Sequence, residues 1–448
     1  MKGMDSVMAI KVGFVSLGCP KNLMNTERML ALLAQADCEI VAEDVDADVI
    51  VINTCAFIES AKTEAIDNIL DIAWLKENHT LKGIVVAGCL PQRYKEEILK
   101  EMPEVNCIIG TGSVDRVFEA VQAAYHGNSF RAFDDIDTCT LGGERVVTTP
   151  EHFAYLQISE GCDNCCSYCV IPSIRGKFRS RPMTELLEEA QELADLGVKE
   201  LCLIAQDTTR YGEDLYGTYA LDSLISEISQ IEGIEWIRLL YCYPDRITDG
   251  LIQEIAQNPK VVKYIDMPIQ HINSQILRAM NRRSTKEDIL DVIQKLRSNI
   301  PGIILRSTVI VGFPGETDAQ FDELRKFLKE TRFERLGVFP YSREEGTPAY
   351  DMPNQVSDAT KEKRHAILME QQERIHNECN EAFLGKTIRV ICEGYDPVAE
   401  SFYGRSYADA YDIDGKIYFS SSKNIHEGQF VDVLIQEVLD YDLLGKVI

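Results

Sequence analysis

Apolar positions along the chain fall into two alternating series and a tail. In the first, mostly apolar blocks at 9–16, 48–53, 83–87 and 106–110 read as strands. Stretches whose apolar residues recur every three to four positions, at 26–36, 60–75, 92–101 and 113–125, read as the helices that follow them. Blocks this apolar, separated by amphipathic helices, predict a parallel sheet covered by helices on both sides. Residues 134–150 lapse into Asp, Thr, Gly and Pro and predict a linker.

The second series places strands at 153–158, 200–205, 236–241, 262–266, 304–311 and 335–340. Helical patterns intervene at 183–196, 221–231, 249–257, 286–298 and 320–330. Six such units in succession predict an open or partial β/α barrel, with its chemistry on the loops after the strands. A charged helix at 358–382 leads out of it. Short alternating strands at 387–392, 401–407, 416–420 and 430–437 then predict a small all-β barrel of the binding type. The expected class is therefore α/β with three domains: 1–133, a barrel at 151–375 after the 134–150 linker, and a β module at 376–448.

Length and charge narrow the function. No apolar run approaches the roughly 18 residues of a membrane span, so no membrane partner is expected. Residues 1–6 lack an apolar signal core. A cytoplasmic location follows, in which the 14 cysteines stay reduced and serve as ligands or small buried side chains. The net charge of −26 is a poor match for phosphate backbones, which are held by cationic patches. Nucleic acid is thus expected only as an incidental contact. Acidity suits a basic protein partner, and equally a merely well-solvated enzyme. The residues from Gly385 onward repeat the bias, with six Lys/Arg against eleven Asp/Glu.

The chemistry is concentrated in thiols. Cys162, Cys165, Cys166 and Cys169 fall within eight residues on the loop after the first barrel strand, a density that signals metal, disulfide or redox chemistry. Two abutting CxxC pairs leave no spacer for the facing knuckles of a zinc ribbon. The alternative register, C-x3-C-x2-C through Cys162, Cys166 and Cys169, leaves Cys165 over. Three thiolates can hold three irons of a 4Fe–4S cluster and leave the fourth open to a small molecule. A second set lies upstream. Cys19, Cys55 and Cys89 each stand in a turn directly after one of the first three strands. Ligands bind at the carboxyl ends of parallel strands, so these three thiols can converge on a second metal site.

C-x3-C-x2-C with Tyr168 before its last cysteine, on the first loop of a partial barrel, resembles the radical S-adenosylmethionine superfamily. The N-terminal thiol set and the C-terminal β module, TRAM-like in this comparison, make the whole chain resemble the methylthiotransferases. The resemblance implies two 4Fe–4S clusters, one on Cys162, Cys166 and Cys169 and one on Cys19, Cys55 and Cys89. It implies S-adenosylmethionine as the source of a 5′-deoxyadenosyl radical, and a reductant protein. Ser16-Leu17-Gly18-Cys19-Pro20-Lys21-Asn22, Glu160-Gly161-Cys162-Asp163, residues 204–212 and residues 310–317 are similar to the branch that modifies an aspartate of protein S-twelve of the small ribosomal subunit. The ribosome is then the partner. A tRNA-modifying branch shares the cluster cysteines, and a non-enzymatic iron–sulfur carrier is the bland alternative. One departure is Asn25-Thr26-Glu27, where the branch carries an Asp-Ser pair; these residues are expected to begin and cap the first helix.

Weaker candidates remain. Tyr168, and Gln206 and Asp207 at the end of the second barrel strand, are candidate contacts to S-adenosylmethionine, and Gly312 would let backbone approach it. Arg175, Lys177, Arg179 and Arg181 are either carboxylate attractors or an ordinary solvated loop. His271 reads as a hydrogen-bonded structural residue. Cys202, Cys242 and Cys392 read as core, and Cys38, Cys107, Cys139 and Cys379 show no ligand spacing.

Overall fold

A computed structural model describes residues 9–448; the leader reading at residues 1–6 lies outside them. Two compact units emerge, and they do not follow chain order. The first comprises the chain up to Thr148 together with Ser159–Arg179 and Ser342–Thr347, and the second comprises Thr149–Ile158, Ser180–Tyr341 and Pro348–Ile448.

The first unit is built on a six-stranded, all-parallel sheet. Its order is Glu39–Ile40, Lys11–Ser16, Val49–Thr54, Gly83–Gly88, Cys107–Gly110 and Phe130–Ala132. Val49–Thr54 and Gly83–Gly88 are buried along their whole lengths, which is what blocks this apolar require. Separate apolar clusters pack on the two faces, one around Ile50, Ile52, Ile84 and Val86, the other around Val49, Val51, Val85 and Ala87. Ser16 pairs with Asn53, Asn53 with Ala87 and Thr54 with Gly88. The carboxyl ends of three central strands therefore lie level.

Several expected boundaries move. The first helix starts at Pro20, with Cys19 as its extended N-cap, because Pro is preorganised for the first helical position. Asn25, Thr26 and Glu27 therefore do not cap the helix; they are buried in its second turn. The helix expected at 92–101 is two, Cys89–Tyr94 and Glu96–Glu101, broken at Lys95 with φ of 47°. The last begins as a 3-10 turn, Thr111–Arg116, before Val117–Tyr125. The edge strands Glu39–Ile40 and Phe130–Ala132 had no apolar block to announce them.

Residues 134–148 are tied to the first unit by side-chain hydrogen bonds along their length. The Glu27 carboxylate accepts from the Thr148 backbone N–H at 2.7 Å and from its hydroxyl at 3.0 Å, and it pairs with Arg145. Arg28 donates to the Thr140 carbonyl at 3.1 Å, and Asp137 accepts from the Lys177 N–H at 2.7 Å. A segment without ladder partners satisfies its backbone through side chains instead.

The second unit carries a six-stranded parallel sheet with strands in sequence order: Phe153–Gln157, Glu200–Ile204, Trp236–Leu239, Val261–Asp266, Ile304–Val311 and Arg335–Pro340. It is an open β/α barrel, as expected. A short helix at Ser274–Ala279 is additional. The long helix Asp358–Glu381 packs against the last strand. The C-terminal strands close into a five-stranded barrel in the order Thr387–Asp396, Ser401–Ser406, Ile417–Ser420, Asp442–Val447 and Phe430–Leu439. Asp442–Val447 is the member that alternation did not reveal.

This small barrel is fastened to the sheet by buried charge. Arg405 donates to Glu200 Oε2 at 2.8 Å and to Glu393 Oε1 at 2.6 Å, while Arg238 donates to Glu200 Oε1 at 2.7 Å and to the Tyr407 carbonyl at 2.9 Å. Arg335 reaches Asp409 at 2.8 Å. Phe153 stacks on Tyr411 with centroids 4.4 Å apart. The pairing alters the charge reading. Only six of the module's eleven acids are exposed (Glu400, Asp412, Glu427, Asp432, Glu437 and Asp440), against five of its six bases. Asp409, Glu393 and Asp414 are turned inward towards arginines, so the surface keeps a smaller acidic excess than the count suggests. No helix among the described residues is long and apolar enough to cross a membrane.

Candidate functional site

The level strand ends of the first unit bring Cys19, Cys55 and Cys89 together. Gly18, with φ of 92°, turns the chain so closely that a Cβ there would lie 2.6 Å from Cys55 Cβ. No other residue fits that turn. Asn22 ties the three turns to one another. Its Nδ2 donates to the Leu17 carbonyl at 3.0 Å and the Thr54 carbonyl at 2.8 Å, and its Oδ1 lies 3.5 Å from Cys89 Sγ. Asn53 donates to the Asn22 carbonyl at 2.8 Å, so the hub is itself fixed.

The thiols feel one another. Burial first, and then the Cys89 charge, push Cys55 up to about 12, with a smaller contribution from Cys19. Burial also raises Cys89, opposed by the Arg175 guanidinium. Cys19 goes the other way: burial would raise it, but Lys21, Arg175 and the N–H groups of Asn22 and Lys21 together lower it. Residues more than 30 positions apart in sequence thus form one electrostatic group.

The Cys162–Cys169 loop belongs to the same unit. It leaves Glu160 through Gly161, and its neck is closed by the Cys162 N–H donating to the Gly176 carbonyl at 3.0 Å. The Cys169 N–H donates to the Cys166 carbonyl at 3.0 Å, and the short helix Ile171–Arg175 follows. Cys166 is buried, Cys162 and Cys169 are half-buried, and Cys165 alone is exposed, with φ of 49°. Tyr168 is half-buried. The loop thus separates Cys165 from the other three.

No group of three His, Cys, Asp or Glu among the described residues is arranged to hold a single metal ion. A lone tetrahedral zinc, with Zn–S near 2.3 Å, would need its thiolates within about 3.8 Å of one another. A cluster of four irons spreads its thiolates farther apart. Three thiols held around a common space, with no fourth, are a donor set that suits such a cluster with one open iron.

Arg175 joins the two regions. Its side chain is buried; Nη1 donates to Glu160 Oε2 at 3.1 Å, while Nη2 donates to Asn22 Oδ1 and lies 3.7 Å from Cys89 Sγ. The loop is not the solvated one that the sequence allowed. Arg179 donates to the Cys139 and Ile136 carbonyls, each at 2.7 Å, and Arg181 pairs with Glu189 at 2.6 Å. Of the four cations only Lys177 is exposed. The sequence marked Asn22 and Glu160 only as parts of resembling motifs and Arg175 only as a candidate carboxylate attractor; their mutual contacts came from the fold.

The remaining candidates lie in the second unit. Asp207 is fully buried, pairs with Arg246 and accepts from Thr209 Oγ1 at 2.8 Å; Gln206 beside it is half-buried. Gly312, with φ of 73°, lies where a Cβ would press on the Lys361 side chain, and its N–H donates to Glu316. Packing alone accounts for that glycine. His271 is fully buried, with Nε2 3.3 Å from Glu316 Oε1 and Nδ1 accepting from the Asn273 N–H at 2.9 Å. Cys202, Cys242, Cys392 and Cys107 are buried.

Known proteins resemble the chain throughout. The uncharacterized protein family UPF0004 matches residues 11–110, the radical SAM superfamily residues 156–328 and the TRAM domain residues 384–448. The ribosomal protein uS12 methylthiotransferase RimO of Acetivibrio thermocellus is 49% identical over 449 residues, covering 98% of this chain and 99% of the relative. RimO of Geobacter sulfurreducens is 49% identical over 447 residues, covering 98% of each. Among solved structures, the radical S-adenosylmethionine methyltransferase TsrM from Kitasatospora setae, with cobalamin and a 4Fe-4S cluster bound, matches with a TM-score of 0.57 at 14% identity. That match covers 76% of this chain and 77% of TsrM and shows a shared fold. The chain belongs to the RimO family of radical S-adenosylmethionine methylthiotransferases.

Proposed function

We propose that the chain places a methylthio group on the β-carbon of an aspartate in ribosomal protein uS12, in the cytoplasm and with electrons from a reductant protein. The observation that carries this reading is the gathering of Cys19, Cys55 and Cys89 in the unit that also holds the Cys162–Cys169 loop. A single-cluster radical enzyme has no use for that second thiol set. In this reading Cys162, Cys166 and Cys169 hold one 4Fe–4S cluster and Cys19, Cys55 and Cys89 hold the other. The bound clusters and S-adenosylmethionine supply the radical and the sulfur group.

The chain's own residues do the positioning. Glu160–Arg175 and the Cys162–Gly176 hydrogen bond close the neck of the loop, and Asn22 holds the three strand-end turns at one spacing. Cys165, exposed, takes no part. Gln206 and Tyr168 are the side chains proposed for contact with S-adenosylmethionine. Asp207 acts with them only by orienting the strand end, since its carboxylate is engaged by Arg246 and Thr209. The division into residues 1–133, 151–375 and 376–448 is kept as functional modules. Identity to uS12-modifying relatives supports the substrate.

Two measurements test this. The mass of uS12 from cells lacking the gene should fall by one methylthio group while tRNA stays unchanged; loss of a tRNA methylthio group with uS12 unaltered would overturn the substrate. Reconstituted protein should carry about eight irons, four per cluster, and about four after Cys19, Cys55 and Cys89 are replaced by alanine. Full iron retention in that triple variant would remove the second site.

A further inference from the structure

Two fully buried arginines of this protein are satisfied by oxygen. Arg238 and Arg405 are bonded to carboxylates and backbone carbonyls. Arg175 differs: one guanidinium nitrogen faces the Glu160 carboxylate, and the other lies between an amide oxygen and the sulfur of Cys89. A planar fork with five N–H donors can make all three contacts at once without turning.

The partners of Arg175 stand at informative places. Glu160 also accepts from the Gly161 N–H at 3.0 Å, directly before Cys162. Arg175 ends the helix that follows Cys169, so the Glu160–Arg175 pair spans the neck of the Cys162–Cys169 loop. Its other nitrogen reaches Asn22, which is bonded to the Leu17 and Thr54 carbonyls, and Cys89. One side chain therefore touches the frame of the loop and the frame of all three strand-end turns. It brings a positive charge into a water-poor site among thiols.

We propose that Arg175 is a positioning residue that locks the Cys162–Cys169 loop to the Cys19, Cys55 and Cys89 turns and tunes the metal site formed by those turns through its contact with Cys89 Sγ. The inference rests on the reading that these three cysteines hold a cluster. Hydrogen bonds to cluster sulfurs, together with local charge, set reduction potentials. Each electron added makes the site more negative, and a buried guanidinium favours the reduced state. Lys21, which also acts on Cys19, is close in sequence to one turn only and cannot link the loop.

The test uses the full-length chain with Cys162, Cys166 and Cys169 replaced by alanine, so that only the N-terminal cluster is read by potentiometric titration with electron paramagnetic resonance. In that background Arg175→Gln should keep its iron and shift the midpoint potential to more negative values. Arg175→Lys, which keeps the charge and loses the fork, should fall between it and the parent. Removing Arg175 alone leaves Glu160 an unpaired buried charge, so Glu160→Gln/Arg175→Gln serves as the variant that folds without either. It should still show the negative shift. A parental potential in Arg175→Gln, or a return to the parental potential in the double variant, would overturn the proposal, the latter by tracing the shift to Glu160. Failure of the underlying reading shows separately: the Cys19, Cys55 and Cys89 triple alanine variant of the otherwise unaltered chain would then keep all its iron.

Discussion

Arg405 and Arg175 are both sunk in protein and both face a glutamate, yet the two networks are built to different ends. Around Arg405 every partner is an oxygen: Glu200, Glu393 and the Asp409 carbonyl, with Arg238 sharing Glu200 from the other side. The two sides of the Arg238–Glu200–Arg405 triad come from different folds, a parallel sheet and a small closed barrel. Such a network has a single arrangement, and its work is to seat one fold on the other. Around Arg175 there is one carboxylate, one amide oxygen and one thiol. The first network is a structural joint; the second ends on a cysteine of the candidate cluster site.

The comparison can be broken most forcefully at Glu200. Glu200→Ala leaves Arg238 and Arg405 facing each other without their carboxylate, and should cost about 3–5 kcal/mol of stability, read by chemical denaturation. The Arg405 and Arg238 guanidinium groups outweigh burial and hold Glu200 below the usual carboxylate range. Its contribution is therefore present above the unfolded glutamate value of about 4.3 and is lost as pH falls below it; the alanine variant should lack that acid-side loss.

Next in size is a pH effect at the same joint. Burial, and then the Arg335 charge, push His376 down to about 4, so the unfolded chain takes up a proton before the fold does. Stability should fall as pH drops from about 6.5 towards 4, by roughly 2 kcal/mol between pH 7 and pH 5. His376→Gln should flatten that slope in denaturation curves collected across this range. A slope unchanged by the substitution would show that the histidine is not held neutral.

Asn22 sharpens the other side. Asn22→Ala strips hydrogen bonds from the Leu17 and Thr54 carbonyls, at about 1–3 kcal/mol. It should also lower the iron bound by the Cys19, Cys55 and Cys89 turns more than that bound by the Cys162–Cys169 loop. The smallest effect is expected at Arg389, which meets Glu235 at 2.9 Å in an exposed pair. Arg389→Ala should change stability by less than about 1 kcal/mol, which would locate the seating of the small barrel in its buried charges and not at its rim.

Sequence pattern read best where side-chain period and burial agree. Ile304–Val311, Arg335–Pro340 and Asp249–Gln257 have the bounds the pattern assigns, because polar residues, Gly or Pro flank each one closely. It failed at Glu39–Ile40 and Phe130–Ala132, two- and three-residue edge strands too short to show a period. It failed again at Asn25–Glu27. There the polar residues look like a cap, but Pro20 had already started the helix and the second turn buries them against residues 145–148. Charge counting overstated the acidic surface for a related reason: Glu393 and Asp409 count towards it until the fold turns them inward onto arginines.

By itself the sequence determined the spacing of the thiols, three cysteines at three strand ends and four within eight residues after a later strand, together with the α/β frame that carries them. Those are local facts, set by spacing and by the side-chain period of strands and helices. Only the tertiary structure decided that Ser159–Arg179 packs within the N-terminal unit, that Asn22 spaces the three turns, and that Arg175 and Glu160 meet across the neck of the loop. Each of these contacts joins residues whose partners are chosen by which polar groups are buried together and must be satisfied, and that choice is made by the assembled fold and by no stretch of the chain alone.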